Sequence, residues 1–451
     1  MTASGTLERH GRNDRGATER ARARRMWARR ASFAMAVGSA ASLVSGLAMV
    51  PLTIGYLGTA RFGLFATMIA GAALLEPLDF GVGSALVTLI GSAHAHDDEE
   101  RVAGLTTAAL RLLVCVGGIV AVTVALCRNL VPWAALLGSR SFGGSAAASV
   151  VVLVVATAVG MPLGLVDRVN LGVQRGDRVG YTVAVGWILS LAFVALAASY
   201  RADVAILTGA YLAGPLLARL ASAALLLWRW RPELRHRRHY DPALGRVLVR
   251  AGSLFFVLQL AVALAYTSDQ FIVANVIGIN AVPQYALAAD LFAIVPAGAA
   301  LLLRPLWPAY AEAAAAGDVD WIRSTLMRSM RYVFVGAVAA SVLLVAVSSR
   351  VVRLLSHNAV CPRSGVLLAF GAWSVVLATG NAVAMALNGL AVVRMQVIVA
   401  SAMALCNLAL SIVLARTMGV AGVLWGSVVA YVACVGVPYA RFVRSFGRVT
   451  S

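Results

Sequence analysis

Polar positions in this chain come in short clusters, and apolar positions come in long runs. Twelve runs stand out, near 32–56, 62–91, 105–127, 146–168, 179–199, 204–228, 250–276, 284–309, 330–349, 364–388, 396–415 and 420–441. Roughly 20 apolar residues suffice to cross the hydrocarbon core of a bilayer. The runs are continuous and do not alternate, so they predict helices and exclude the ten-residue alternation of a membrane barrel. The expected fold is an all-α polytopic membrane protein with about twelve transmembrane helices in two six-helix lobes around a central cavity. The expected division is a disordered basic tail (1–31), a first lobe (32–228), a basic inter-lobe loop (229–249), a second lobe (250–441) and a short C-terminal tail (442–451).

Composition agrees with this pattern. Hydrophobic residues make up 61% of the chain and charged residues only 13%, against roughly a quarter charged in soluble domains. Every one of the 38 basic residues is Arg. With the N-terminus inside, 27 Arg fall on inner segments, 8 on outer loops and 3 within spans. That bias places both termini in the cytoplasm. The formal charge of +19 then reports loops facing anionic lipid, and no nucleic-acid partner is expected. The five Cys show no metal spacing, and whether Cys127 and Cys361 pair stays open.

The two halves share a corner. Asp269 to Ala286 is an apolar helix that breaks at Gly278, turns and restarts at Pro283. Leu57-Gly58 to Phe65-Ala66 has a related pattern 220 residues earlier, with Gly58 matching Gly278, Gly63 matching Pro283 and Phe65 matching Tyr285. An even number of spans per half gives both halves the same orientation, the parallel repeat that many transporters carry.

Most catalytic chemistry has no home here. No outer loop exceeds about twenty residues, and no Gly-rich loop with Gly-Lys-Ser/Thr exists to bind a nucleotide. Asp79-Phe80-Gly81 lies inside a span, so its likeness to a kinase triplet is chance. His94, His96 and the acids 97–100 read as a solvated connector more readily than as a metal site. No enzyme activity, cofactor or bound metal is expected.

Charges inside spans are costly and usually face a bundle interior or a cavity. Glu76 and Asp79 stand one turn apart on the second span. Arg111 lies on the third span, Arg219 near the middle of the sixth, Asp269 on the seventh, and Asp290 and Arg304 on the eighth. One reading makes Arg219, Arg111 and Arg304 the anchors of an anionic substrate. It makes Glu76, Asp79, Asp269 and Asp290 carriers of a coupling proton or sodium ion. The other reading makes them helix-packing pairs, caps or snorkelling residues. For Asp269 the packing reading is the favoured one.

The corner from Asp269 to Ala286 resembles that of Wzx-type polysaccharide biosynthesis flippases, in the multidrug/oligosaccharidyl-lipid/polysaccharide exporter superfamily. Leu57-Gly58 to Phe65 followed by Asp79 to Gly83 is similar to that family's first hairpin. Asn388-Gly389, Arg394, Asn407, Gly419 to Gly422 and Gly426 are similar to its last two spans. The resemblance implies alternating access in the cytoplasmic membrane and a polyprenyl-diphosphate-linked oligosaccharide as cargo. Membrane lipids and polysaccharide assembly proteins would be its partners. Alternatives are a small-molecule exporter of the same superfamily, expected to show an acidic cavity with few Arg, and a non-transporting scaffold for glycan assembly.

Overall fold

The computed structural model describes residues 4–96, 98–127, 130–138, 143–235, 242–303, 306–390 and 392–445. Every element among them is helical. Eleven stretches are long and apolar enough to cross a membrane, and the first of these, Arg30–Asp79, holds two passes. Helix α1 (Ser4–Leu75) breaks at Gly58, whose φ of 71° favours a residue without a Cβ. Up to the break, the chain follows α6 (Gly176–Ser199). Gly38 abuts Gly180, and the Tyr56 hydroxyl donates to the Ala202 carbonyl at 3.3 Å. After the break it follows α5 (Gly143–Gly172), with Gly71 against Leu153. Since α5 and α6 are consecutive and joined by a short turn, the chain has doubled back. Twelve passes result.

Helix α1 extends back through the backbone of the basic segment to Ser4. Ala17, Ala21 and Ala23 interleaved with Arg are strong helix formers, and they run directly into an apolar helix that needs no new nucleus.

The second pass is not the continuous helix that the apolar run over 62–91 suggested. It is interrupted by a 3₁₀ turn, Glu76–Asp79, and restarts as α2 (Val82–Ala95). Pro77 supplies no N–H, and Phe80 and Gly81 both adopt left-handed backbone at φ 52° and 71°. Asp79 caps the restart: its carboxylate accepts from the N–H of Gly81 at 2.8 Å and of Gly83 at 3.3 Å. The break is held against α8 (Pro242–Ile272). Gly81 lies on the Gly252 backbone, Phe80 meets Phe256 at 5.2 Å between ring centroids, and Gln259 donates to Ser84 at 2.9 Å.

The rest of the first half consists of α3 (Glu99–Cys127), a short α4 (Trp133–Leu136) and α7 (Val204–Arg235). Beyond α8 and a wide turn at Val273–Ile277, Gly278 takes φ 125° and starts the second corner. The eighth pass is built from α9 (Val282–Phe292) and α10 (Ile294–Leu303), followed by α11 (Leu306–Ala315). Four further passes are α12 (Val319–Leu355), α13 (Ser364–Gly389), α14 (Val393–Met418) and the broken α15 (Val420–Tyr431) and α16 (Val437–Ser445).

The two corners pack on each other. Leu57, Phe62 and Phe65 share one apolar core with Ile279, Val282, Tyr285, Phe292 and Phe370. Gly63 sits so close to the Ile279 carbonyl that no Cβ would fit. Asn275 donates to the Leu136 carbonyl at 2.9 Å, which ties α4 over the second corner. Towards the opposite end of the bundle the eighth pass continues as α10, which packs chiefly with α12 and α13 through Val295, Ala299, Val333 and Ala378. Large apolar side chains such as Ile119, Leu126, Leu196, Val342 and Leu405 are exposed around the bundle, as a lipid-facing surface requires. All five Cys are free.

Candidate functional site

The bundle encloses a cavity of about 830 Å³. Its walls are mostly first-half helices: α1, α5, α6 and α7, with the Glu76–Asp79 turn. The second half contributes Gln270, Ala286, Ala289 and Asp290. The cavity runs from Phe62 and Phe65, under the packed corners, to Leu171 and Val179 near the α5–α6 turn.

Most of the wall is apolar, so the few charges in it stand out. They form one cluster and one outlier. In the cluster, Arg219 Nε donates to Asp167 Oδ2 at 3.0 Å, with the two side chains 37% and 11% exposed. Arg168 lies beside Asp79, because a Cβ placed on Gly83 would touch both the Asp79 carboxylate and the Arg168 Nε. Arg168 also acts electrostatically on Glu76 and Asp167. The broken second pass makes this possible. Residues three apart eclipse in a 3₁₀ turn, so Glu76 and Asp79 project together towards α5.

The outlier is Asp290 on α9. It is exposed to the cavity and makes no hydrogen bond or ion pair among the described residues. Its charge acts on Tyr211, which lines the same cavity. Tyr211 packs edge-on against Trp187 at 5.3 Å and against Phe65 at 6.2 Å, and all three rings line the cavity.

The expected site residues therefore separate. Arg219, Glu76, Asp79 and Asp290 face the cavity. Arg111 does not: it stands exposed on α3, whose contribution to the wall is Leu113. Arg304 lies outside the described residues. Asp269 lies outside the cavity wall and is 3% exposed. Ser427 donates to it at 2.6 Å, Asn407 at 3.0 Å and Ser411 at 3.4 Å. Asn407 further donates to the Ala265 carbonyl at 2.8 Å, and the Val423 carbonyl, 3.0 Å from the Ser411 hydroxyl, is an alternative acceptor for its single proton. These bonds tie α8 to α14 and α15.

Sequence reasoning missed Asp167 and Arg168. The fourth span was expected to end at residue 168, which put the pair at the membrane edge. Helix α5 continues to Gly172, so both residues sit a turn inside it. The adjacent acid and base were the available signal. The described wall carries four carboxylates (Glu76, Asp79, Asp167, Asp290) against two guanidiniums (Arg168, Arg219). Among the described residues no three acids, His or Cys converge tightly enough to hold a metal ion.

Several solved structures share this architecture. A multidrug resistance MATE family transporter of the MOP superfamily, in an inward-facing conformation, matches with TM-score 0.73 at 14% identity, covering 93% of this chain and 99% of its own. An outward-facing structure of a MATE family transporter matches with TM-score 0.64 at 16% identity, covering 93% and 96%. A MOP superfamily transporter from Pyrococcus furiosus, described as having a binding pocket of reverse polarity, matches with TM-score 0.64 at 14% identity, covering 94% and 96%. No curated protein matches the chain. At these identities the likeness establishes an all-helical transporter fold. The model of the polysaccharide biosynthesis protein family matches residues 28–313, from the first pass through the cavity-lining α9 and beyond, and this multi-pass membrane protein belongs to that family.

Proposed function

We propose that this protein carries a polyprenyl-diphosphate-linked oligosaccharide across the cytoplasmic membrane by alternating access. The observation that carries the reading is the cavity itself. It is closed beneath the corners, extends to the opposite end of the bundle, and holds Arg168 and Arg219, beside Glu76, Asp79 and Asp167, in a mostly apolar wall. With both termini in the cytoplasm, that end faces the leaflet where the cargo is made. The polyprenyl tail would stay in lipid through a lateral gap between the two halves while the head group crosses. Rocking of one half against the other, about the α2–α8 contact at Gly81 and Gly252, would re-expose the head group on the far side.

The charge cluster supplies a means of ion coupling. In the empty cavity Asp167, Asp79 and Glu76 compensate the two Arg. A diphosphate would compete for the same guanidiniums, whose planar fork suits phosphate oxygens. Protonating a carboxylate releases its Arg towards the anion, so proton and cargo binding are linked, each altering the other by the same factor.

Mass spectrometry of polyprenyl-linked lipids from cells with and without the gene tests this function. Accumulation of one diphosphate-linked oligosaccharide in the deletion is the expected result. An unchanged lipid pool with normal surface polysaccharide would overturn it. A second reading, export of an organic cation, is favoured by the excess of carboxylates and the Trp187–Tyr211 pair. In that case the deletion strain would become sensitive to cationic dyes while its lipid pool stayed normal.

A further inference from the structure

We infer that the saccharide carried by this protein bears a free amino group, held as an ammonium ion between Asp290 and the Trp187–Tyr211 pair. The inference rests on the reading that the cargo is a saccharide lipid and specifies its chemistry.

The argument starts from charge balance. In the cluster, two guanidiniums face three carboxylates, so their charge is already compensated without Asp290. Asp290 is a further carboxylate at a different place. Tyr211 lies eight residues before Arg219 on α7, which is about 12 Å along the helix axis at 1.5 Å per residue. The cavity thus has two poles: the Arg pair at one, and Asp290 beside Tyr211 at the other. A carboxylate in an apolar membrane cavity with no protein partner either takes up a proton or pairs with a cationic ligand, and only the second keeps it charged.

The surroundings of Asp290 restrict the cation further. Ring edges and faces of Trp187, Tyr211 and Phe65 line the same part of the cavity. Aromatic faces attract ammonium groups, and they also accept the C–H-rich face of a pyranose ring. Gln270 adds an amide to this wall from the second half, where a sugar hydroxyl would meet it. A diphosphate at the Arg pole and an amino sugar at the Asp290 pole would fill both with one molecule, because about 12 Å spans a diphosphate and one to two pyranose rings. A neutral or N-acetylated sugar would leave Asp290 unpaired. An organic cation without a phosphate would leave the Arg pole without a ligand.

The test uses the full-length protein in lipid nanodiscs and two synthetic farnesyl diphosphate lipids. One carries a disaccharide of glucosamine, and the other the same disaccharide fully N-acetylated. The expected result is at least about tenfold tighter binding of the free amine, about 1.4 kcal/mol. Asp290→Asn should bring the ratio close to one, chiefly by weakening the hold on the free amine. Asp290→Glu should retain a preference. A ratio near one in the wild-type protein overturns the inference, and so does a preference that survives Asp290→Asn. If neither lipid binds while tetraphenylphosphonium does, the saccharide reading itself fails. If both lipids bind equally, that reading stands and only the amino-sugar assignment falls. The wild-type ratio decides even if a variant does not fold.

Discussion

Asp167 in the first half and Asp269 in the second are both buried membrane carboxylates, and they are satisfied in opposite ways. Asp269 sits in a dry, neutral shell of Ser427, Asn407 and Ser411, drawn from two other helices. Asp167 sits at the edge of a cavity, and its partner is the 37%-exposed Arg219. A closed shell of hydroxyl and amide donors fixes helices in place, because each donor would lose its acceptor if the helices parted. An ion pair at a cavity wall can exchange partners, because an incoming charged ligand can substitute for either member. The lesson is that depth in the membrane does not identify the working carboxylate. What surrounds it does.

The largest expected effect tests the dry site. Asp269→Ala strands Ser427, Asn407 and Ser411 without their shared acceptor and should cost about 3 kcal/mol or more. Thermal melting of the purified protein should show a clear drop, with transport lost in proportion to folded protein. An Asp269→Ala protein that melts like wild type but does not transport would break the comparison and make Asp269 a working group.

The cavity pair should behave in the reverse way. Arg219→Gln should reduce transport by on the order of 10–100-fold through loss of a charge-assisted contact to cargo, with little change in melting. Asp167→Asn alone should leave Arg219 less compensated and tighten the protein's hold on an anionic cargo, which a binding assay reads directly. If Asp167→Asn lowers the melting temperature as far as Asp269→Ala does, the cluster is a structural pin and the contrast fails.

A smaller effect is expected where the halves touch. A Cβ at Gly81 would run into the Gly252 carbonyl, and Gly81 also needs its positive φ of 71°. Gly81→Ala should therefore cost about 1–3 kcal/mol of local strain. Because the strain falls on the α2–α8 contact, it should separate the halves there. Cysteine cross-linking between Ser84 and Gln259, hydrogen-bonded at 2.9 Å in the wild type, would report the change as a lower yield. An unchanged yield would show that the contact is not where the halves pivot.

How much of this was legible in the sequence depended on the kind of constraint. The corners at Gly58 and Gly278 were readable because positive φ selects glycine, and the flanking apolar residues repeat. Asp290 and Arg219 were readable because a charge in an apolar run is conspicuous. The shell of Asp269 was not readable, since Asn407, Ser411 and Ser427 lie about 140 to 160 residues away and look like ordinary small polar residues. Asp167 and Arg168 were lost to a boundary placed four residues short of Gly172. Trp187 and Tyr211 were passed over because aromatic residues within a span are unremarkable until a cavity is known to lie beside them.

Arg111 gives the smallest expected effect and the sharpest control. By sequence it ranked with Arg219 as a membrane cation able to hold an anionic cargo. By structure it differs in one respect: it stands exposed on α3, outside the cavity wall. Because it lies outside the cavity wall, its substitution should remove little from cargo binding. Arg111→Gln should change melting by less than about 0.5 kcal/mol, as surface substitutions usually do, and leave transport within about twofold of wild type. Measured beside Arg219→Gln, it separates the two explanations for an Arg-dependent transporter. If only the cavity-lining Arg matters, charge acts by contact with the cargo. If both variants lose transport equally, the charges act together as a field over the inner half of the bundle, and the cavity wall is not where selectivity for an anion is set.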